Sequence, residues 1–298
     1  MSLSKSPLRY PGGKQKLAPF LIELLKANNL IGGYYIEPYA GGAGAAIYLL
    51  LNGFVRHIHL NDSSYPIYAF WRSILTRNDD FCRLVSAASL SIEEWKRRRN
   101  IVKNYHQYDE LEVGFSTFYL NRCNRSGVIS GGVIGGLEQM GEWKMDARFS
   151  KKDLIKRIAA VASFAQSITL SNVDAESYLD ESLANLPADA IIYFDPPYYK
   201  KSSGLYLDTY VKQDHQRIAI ALKNINGVRW LLSYDAAEQI LALYDDNRHF
   251  LYDLQYNAAS VYKGKEVLVF SNNIVLPSSS SLPFIDIGLK HLVDLQFV

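Results

Sequence analysis

The sequence predicts an α/β fold, with a mainly parallel sheet covered by helices on both faces and interrupted by a long insertion. Three observations carry this. Ala190-Ile191-Ile192-Tyr193-Phe194 is an apolar run of strand length that stops at Asp195-Pro196-Pro197-Tyr198, as expected of a strand buried on both faces. Tyr34 to Glu37 is β-prone and leads through Gly41, Gly42 and Gly44 into an apolar helical stretch; a second strand, His57 to Asp62, follows. Between Asp62 and the next strand-like segment, Ser167 to Val173, lie about a hundred residues, where a parallel crossover needs only a dozen or so. A subdomain must be inserted there.

The remaining elements follow in order. Pro7-Leu8-Arg9-Tyr10-Pro11-Gly12-Gly13-Lys14 forms a loop ahead of the amphipathic run Leu17, Phe20, Leu21, Leu24, Leu25. It is not a phosphate loop of the Walker kind, because Leu8 and Gln15 occupy the places of the first glycine and of the Ser or Thr after the lysine. Beyond Tyr198, strands are expected at Val228 to Tyr234, Phe250 to Leu254 and Glu266 to Ser271, with helices at Asp214 to Lys223 and Ala236 to Tyr244. Ser278 to Ser281, between Pro277 and Pro283, reads as a connection to a short tail, Phe284 to Val298.

Ligands of parallel sheets bind at the carboxyl ends of the strands, where the tetrapeptide stands. Two prolines bring no N–H, so the carbonyls of Asp195 and Pro196 can face a ligand, with the Asp195 carboxylate as a third acceptor. Acceptors beside the Tyr198 ring suit an amino group on a planar heterocycle, such as the exocyclic amine of a nucleobase. A capped strand end with a packed tyrosine would look similar, so the tetrapeptide needs its context. The glycine turn lets backbone approach a ligand closely. Asp62, about twenty residues on, stands where a carboxylate grips ribose hydroxyls. Together they point to an adenosine-containing cofactor. Ile47 replaces the third glycine of the dinucleotide fingerprint, and Glu37 would repel a pyrophosphate but favour an ammonium and a sulfonium, which turns the choice toward S-adenosylmethionine.

Taken in order, these motifs resemble the DNA adenine methyltransferases of the Dam type: an aromatic followed by x-G-G-K (Tyr10 to Lys14), E-P-[FY]-x-G-x-G (from Glu37), an acid closing the next strand (Asp62), and D-P-P-Y (Asp195 to Tyr198). The resemblance covers nearly the whole chain. It implies a Rossmann-like methyltransferase fold with a mixed seven-stranded sheet. It implies Asp195, Pro196, Pro197 and Tyr198 as the catalytic tetrapeptide, and Tyr10, Gly12, Lys14, Glu37, Gly41, Asp62 and Asp195 as the S-adenosylmethionine site, with no metal. The catalytic domain would comprise residues 1–75 and 158–298, and residues 76–157 a mainly helical target-recognition subdomain with a hairpin at Phe118 to Gly132. Arg122, Asn124, Arg125 and Ser126 would contact DNA, since Arg and Asn read guanine and adenine edges. Members that recognise GATC carry a tyrosine and an asparagine before the hairpin glycine and an arginine after it. Here Arg125, Ser126 and Ser130 stand in those places, so GATC is not assigned.

Charge supports the insertion's role. Residues 83–157 hold 14 Lys and Arg against nine acids, a balance of +5, which leaves −3 for the rest of a chain whose net charge is +2. Such asymmetry favours a nucleic-acid face. For Lys96-Arg97-Arg98-Arg99 alone, a solvated helix face fits equally well. An apolar content of 48% argues against disorder. No apolar stretch reaches the roughly 18 residues of a membrane span, and no signal-peptide core stands at the N-terminus, so a cytoplasmic protein is expected. Cys82 and Cys123 have no paired spacing and indicate neither zinc nor a disulfide framework. Expected partners are double-stranded DNA and, in a restriction-modification setting, a cognate restriction enzyme; the chain is expected to be a monomer. Two other readings stay open. One is methylation of a different amino group, on cytosine, RNA adenine or protein glutamine; the other is a non-catalytic DNA-binding protein on the same fold.

Overall fold

The computed structural model describes residues 6–9, 14–199, 210–257 and 261–277. Tyr10 and Gly12, and the tail after Ser278, lie outside them. Seven strands form one sheet: β1 (Gly33–Glu37), β2 (Val55–Asn61), β3 (Ile168–Ser171), β4 (Ala190–Phe194), β5 (Arg229–Asp235), β6 (His249–Asn257) and β7 (Val261–Phe270). Their order is β3-β2-β1-β4-β5-β7-β6. The first five are parallel, and β7 lies antiparallel between β5 and β6. This is the mixed seven-stranded sheet expected above. The chain reverses its direction of winding between β1 and β4, so their carboxyl ends border a crevice, the usual place for a ligand in an open sheet.

Alternation along each central strand builds two cores, because successive side chains point to opposite faces. On one face Tyr35, Ile191, Tyr193, Leu231 and Leu268 pack with Leu21, Leu24 and Leu25 of α1 (Ala18–Ala27) and with Ile47 and Leu50 of α2 (Gly44–Leu51). On the other, Ile36, Ile192, Phe194, Leu232 and Val269 pack with Tyr178 and Leu179 of α8 (Ala175–Ser182), Ile218 and Leu222 of α9 (Lys212–Lys223) and Ile240 of α10 (Glu238–Leu243). Burying both faces is what makes β4 an unbroken apolar run. Strands β6 and β7 extend beyond the expected Phe250 to Leu254 and Glu266 to Ser271. The sequence of their distal halves includes Gln255, Asn257, Lys263 and Lys265, so apolar periodicity fades while the antiparallel backbone ladder continues from His249 opposite Val269 to Asn257 opposite Val261.

Between β2 and β3 the chain is helical: α3 (Tyr65–Thr76), α4 (Asn78–Ala87), α5 (Ile92–Lys103), α6 (Glu110–Cys123) and α7 (Lys151–Ala162). Ser91 and Asp109 cap α5 and α6 by accepting the N–H groups of Glu94 and Glu112, each worth about 1 kcal/mol. Helix α6 is buried on every side from Val113 to Cys123. Its Phe118 stacks on Phe70 of α3 with ring centroids 5.9 Å apart and planes within 6°. The two backbones meet closely at Gly114, where a Cβ would stand 2.5 Å from the Ala69 carbonyl oxygen. Phe81, Trp95, Phe115, Leu154 and Ile158 belong to the same apolar cluster as Ile58 and Leu60 of the sheet. The hairpin expected at Phe118 to Gly132 is not one. Its first half is the end of α6, and the rest is a loop closed by a single antiparallel bridge, Asn124 to Val133.

Candidate active site

The carboxyl ends of β1, β2 and β4 place Glu37, Asp62 and Asp195 along one rim, as the parallel register requires. The glycine turn connects two of these positions. The Gly41 N–H donates to Asp62 Oδ2 at 2.7 Å, and Asp62 Oδ1 accepts the Ser64 N–H at 3.0 Å. Gly41 has φ 46° and Ala43, the residue before α2, φ 43°. Glycine adopts such left-handed backbone freely, whereas for alanine it costs about 1–2 kcal/mol. Two side chains hold the turn: Trp71 Nε1 donates to the Gly41 carbonyl at 2.9 Å and Ser6 Oγ to the Gly42 carbonyl at 2.6 Å. Gly44 is already the first residue of the helix.

Asp195 sits over a buried charge network. Lys14 Nζ lies 3.2 Å from Asp195 Oδ1 and 3.5 Å from Glu266 Oε2. Glu266, fully buried on β7, also accepts the hydroxyls of Tyr198 and Tyr252, and Lys14 donates to the Tyr198 hydroxyl. Ser233 of β5 donates to Asp195 Oδ1 at 2.8 Å and is itself 2.8 Å from the Tyr193 hydroxyl. Burial alone would lower the Lys14 pKa, but the two carboxylates outweigh it and hold it above its ordinary value. Burial pushes the Asp195 carboxyl up, with Lys14 and Ser233 opposing. The side chains of Lys14 and Glu266 are 6% and 0% exposed, that of Asp195 28%. The tetrapeptide carboxylate is thus anchored through Oδ1 from behind while part of it reaches the rim.

This arrangement alters two expectations. Lys14, expected in the S-adenosylmethionine site, spends its charge on Asp195 and Glu266. Tyr198, read as a stacking platform, is only 4% exposed and has its hydroxyl fastened inside, so its ring offers no open face in this conformation. Half-exposed aromatic rings lie close by in the fold instead. Tyr39 and Tyr210 share a hydroxyl contact of 2.7 Å, and the rings of Tyr199 and Tyr210 both flank His215, at 5.2 and 5.5 Å. Asp235, at the end of β5, accepts the Tyr199 N–H at 2.8 Å and so fixes the chain just after the tetrapeptide. Glu266, Ser233, Tyr252 and Asp235 were not singled out from sequence. The available signal was an acid heading the apolar run Val267 to Phe270, and polar residues alternating through β5.

Glu37 lies at the inner end of the crevice, 5% exposed, accepting the Ala46 N–H at 3.1 Å. Desolvation pushes its carboxyl up to about 8. An acid in that state ionises when a cation settles beside it, so the donor set suits a positively charged ligand.

The four residues expected to contact DNA divide. Asn124 is fully buried: its Oδ1 accepts the Trp95 indole N–H at 2.7 Å, and its Nδ2 donates to the carbonyls of Val128 and Ile129 at 2.9 Å. Arg122 is 8% exposed and donates to the Arg148 carbonyl at 2.8 Å. Burial and the neighbouring Arg9, Arg157 and Arg148 bring its pKa down to about 10. Both side chains tie loops to the body, so neither reads a base from this position. Arg125 is exposed, and Ser126 is half-exposed with φ 55°.

Residues 10–259 match the sequence pattern of the D12 class N6 adenine-specific DNA methyltransferases. A Type II methyltransferase of Methanocaldococcus jannaschii, M.MjaIII, is 23% identical over an alignment of 223 residues that covers 70% of this chain and 73% of that protein. Among solved structures, the rRNA methyltransferase aviRa of Streptomyces viridochromogenes superposes with a TM-score of 0.34 at 12% identity, covering 83% of this chain and 81% of its own. Precorrin-6y C5,15-methyltransferase of Geobacter metallireducens gives 0.35 at 11%, covering 86% and 88%. The family pattern takes in the glycine turn, the helices between β2 and β3 and the tetrapeptide alike, and on that ground the chain belongs to the D12 class of N6 adenine-specific DNA methyltransferases.

Proposed function

We propose that the chain methylates the 6-amino group of an adenine extruded from duplex DNA, using S-adenosylmethionine held in the crevice between β1 and β4. The observation that carries this reading is the half-anchored Asp195: one oxygen held by Ser233 and Lys14, the side chain still partly exposed at the rim. Asp195 and the Pro196 carbonyl accept the two amino hydrogens, which localises the nitrogen lone pair. Tyr198, pinned through Glu266 and Lys14, sets the pose of the tetrapeptide, and half-exposed Tyr39, Tyr199 and Tyr210 supply faces on which a purine can stack. Extrusion is needed because the amino group cannot be attacked in line while the base is stacked; it costs a few kcal/mol.

The cofactor supplies an electrophilic methyl group on a sulfonium, so the protein's part is positioning and electrostatics. Glu37 complements its positive charge. Asp62, braced by Gly41 and Ser64, is placed for its ribose, and the loop of Tyr10 and Gly12 completes the site by resemblance. Residues 76–157 serve as the target-recognition segment, with Arg125 and Ser126 on the DNA side. Asp195→Ala should lower methyl transfer at least a thousandfold while duplex binding, measured by fluorescence anisotropy, changes less than about threefold. Near-wild-type turnover in that variant would remove Asp195 from the chemistry.

A further inference from the structure

The basic quartet of α5 divides by what its members touch. Arg97 pairs with Glu94 and Glu112, and Arg98 is buried against Glu94 and Ser116. Lys96 and Arg99 turn the other way and, with Lys103, form a stripe at helical spacing along one side of a groove of about 650 Å³. The opposite wall is the segment from Gly132 to Leu137, and Arg125 completes the lining, which contains no acidic side chain. All four cations are exposed, and none makes an ion pair among the described residues. Arg99 lies over the Trp95 ring, 5.3 Å from its centroid.

The groove is a built feature. Trp95, 3% exposed, is tied through its indole N–H to Asn124, which also gathers the carbonyls of Val128 and Ile129, while the Arg125 N–H donates to the Gly132 carbonyl at 3.0 Å. The polar residues that do not read bases therefore hold the two walls together. Four like charges in one concavity repel one another and favour a polyanion there. From Lys96 to Lys103 the helix rises roughly 10 Å, the axial span of about three phosphates along one DNA strand.

We propose that this groove holds the sugar-phosphate backbone of duplex DNA beside the target site, with Lys96, Arg99, Lys103 and Arg125 as phosphate-binding side chains that carry no sequence information. The inference rests on the DNA-methyltransferase reading. The test uses the full chain and two duplexes of equal length, one methylated by the wild type and one of scrambled sequence. Binding is measured across a salt series for wild type, Lys96→Ala/Arg99→Ala/Lys103→Ala and, as a control on the same helix, Arg97→Ala. For the triple variant the slope of log affinity against log salt should become shallower by about 2.7, roughly 0.9 for each phosphate that the variant no longer neutralises, equally on both duplexes. Arg97→Ala should keep the wild-type slope.

An unchanged slope in a triple variant of wild-type melting temperature overturns the proposal. So does a weakening confined to the methylated duplex, which would mean base reading. A wild type that methylates no DNA from which the first duplex could be chosen would overturn the functional reading on which the groove rests, and is distinguishable because it fails before any variant is compared.

Discussion

Glu37, buried at the inner end of the crevice, shows how one side chain can make stability depend on pH. Its folded pKa, about 8, lies above the ordinary 4.5, so the folded protein keeps a proton that the unfolded chain releases. Its favourable contribution is therefore complete below about pH 4.5 and is lost as pH rises toward 8. Glu37→Gln keeps the acceptor for the Ala46 N–H and removes the titration. Denaturant unfolding should show the variant level with wild type near pH 4.5 and increasingly more stable than wild type up to pH 8; a gap independent of pH would show that Glu37 does not titrate in this way. At this scale the sequence was informative where the backbone motif itself dictates position. Asp195, Asp62 and Glu37 close their strands where expected. The side chains of Lys14 and Tyr198 could not be read, because their direction depends on Glu266, which stands 252 and 68 residues away along the chain.

That distance is bridged by strand β7. Entering antiparallel between β5 and β6, it sets Glu266 opposite both Asp235 and Tyr252 and thereby underneath the tetrapeptide. Glu266→Ala would leave a buried lysine and two tyrosine hydroxyls short of an acceptor, and removing one partner of a buried ion pair costs about 3–5 kcal/mol. Urea unfolding should show a loss of that size; a change below about 1 kcal/mol would mean that the network is not closed as described. The stretch between β2 and β3 was legible as helical but not in its details. Helix α6 is buried all round, so it shows no polar stripe, and the polar residues at its end looked like a DNA-reading hairpin. Asn124 and Arg122 in fact satisfy loop carbonyls. Only tertiary packing distinguishes a buried asparagine that closes a loop from an exposed one that reads a base.

Over the whole molecule, two features divide the labour. The sheet, apolar on both faces, brings acids from several strands to one rim, whereas the positive charge gathers in the helical stretch between β2 and β3 and, within it, along one groove. All seven strands were legible from sequence, most sharply the central β1, β4 and β5, where burial on both faces leaves short apolar runs with polar or proline ends. The charge asymmetry was legible as a count, but its direction required the structure, which shows Arg97 and Arg98 neutralised and Lys96, Arg99 and Lys103 facing outward. On the proposed function, the rim around Asp195 grips an adenine amino group beside a methyl donor. That grip is tested most directly by incubating duplex DNA with the protein and tritiated S-adenosylmethionine, digesting the DNA to nucleosides and separating them. Label is expected in N6-methyldeoxyadenosine alone, and none with Asp195→Ala; label in a cytosine nucleoside, or equal labelling by the Asp195→Ala protein, would show that the rim does not grip an adenine amino group.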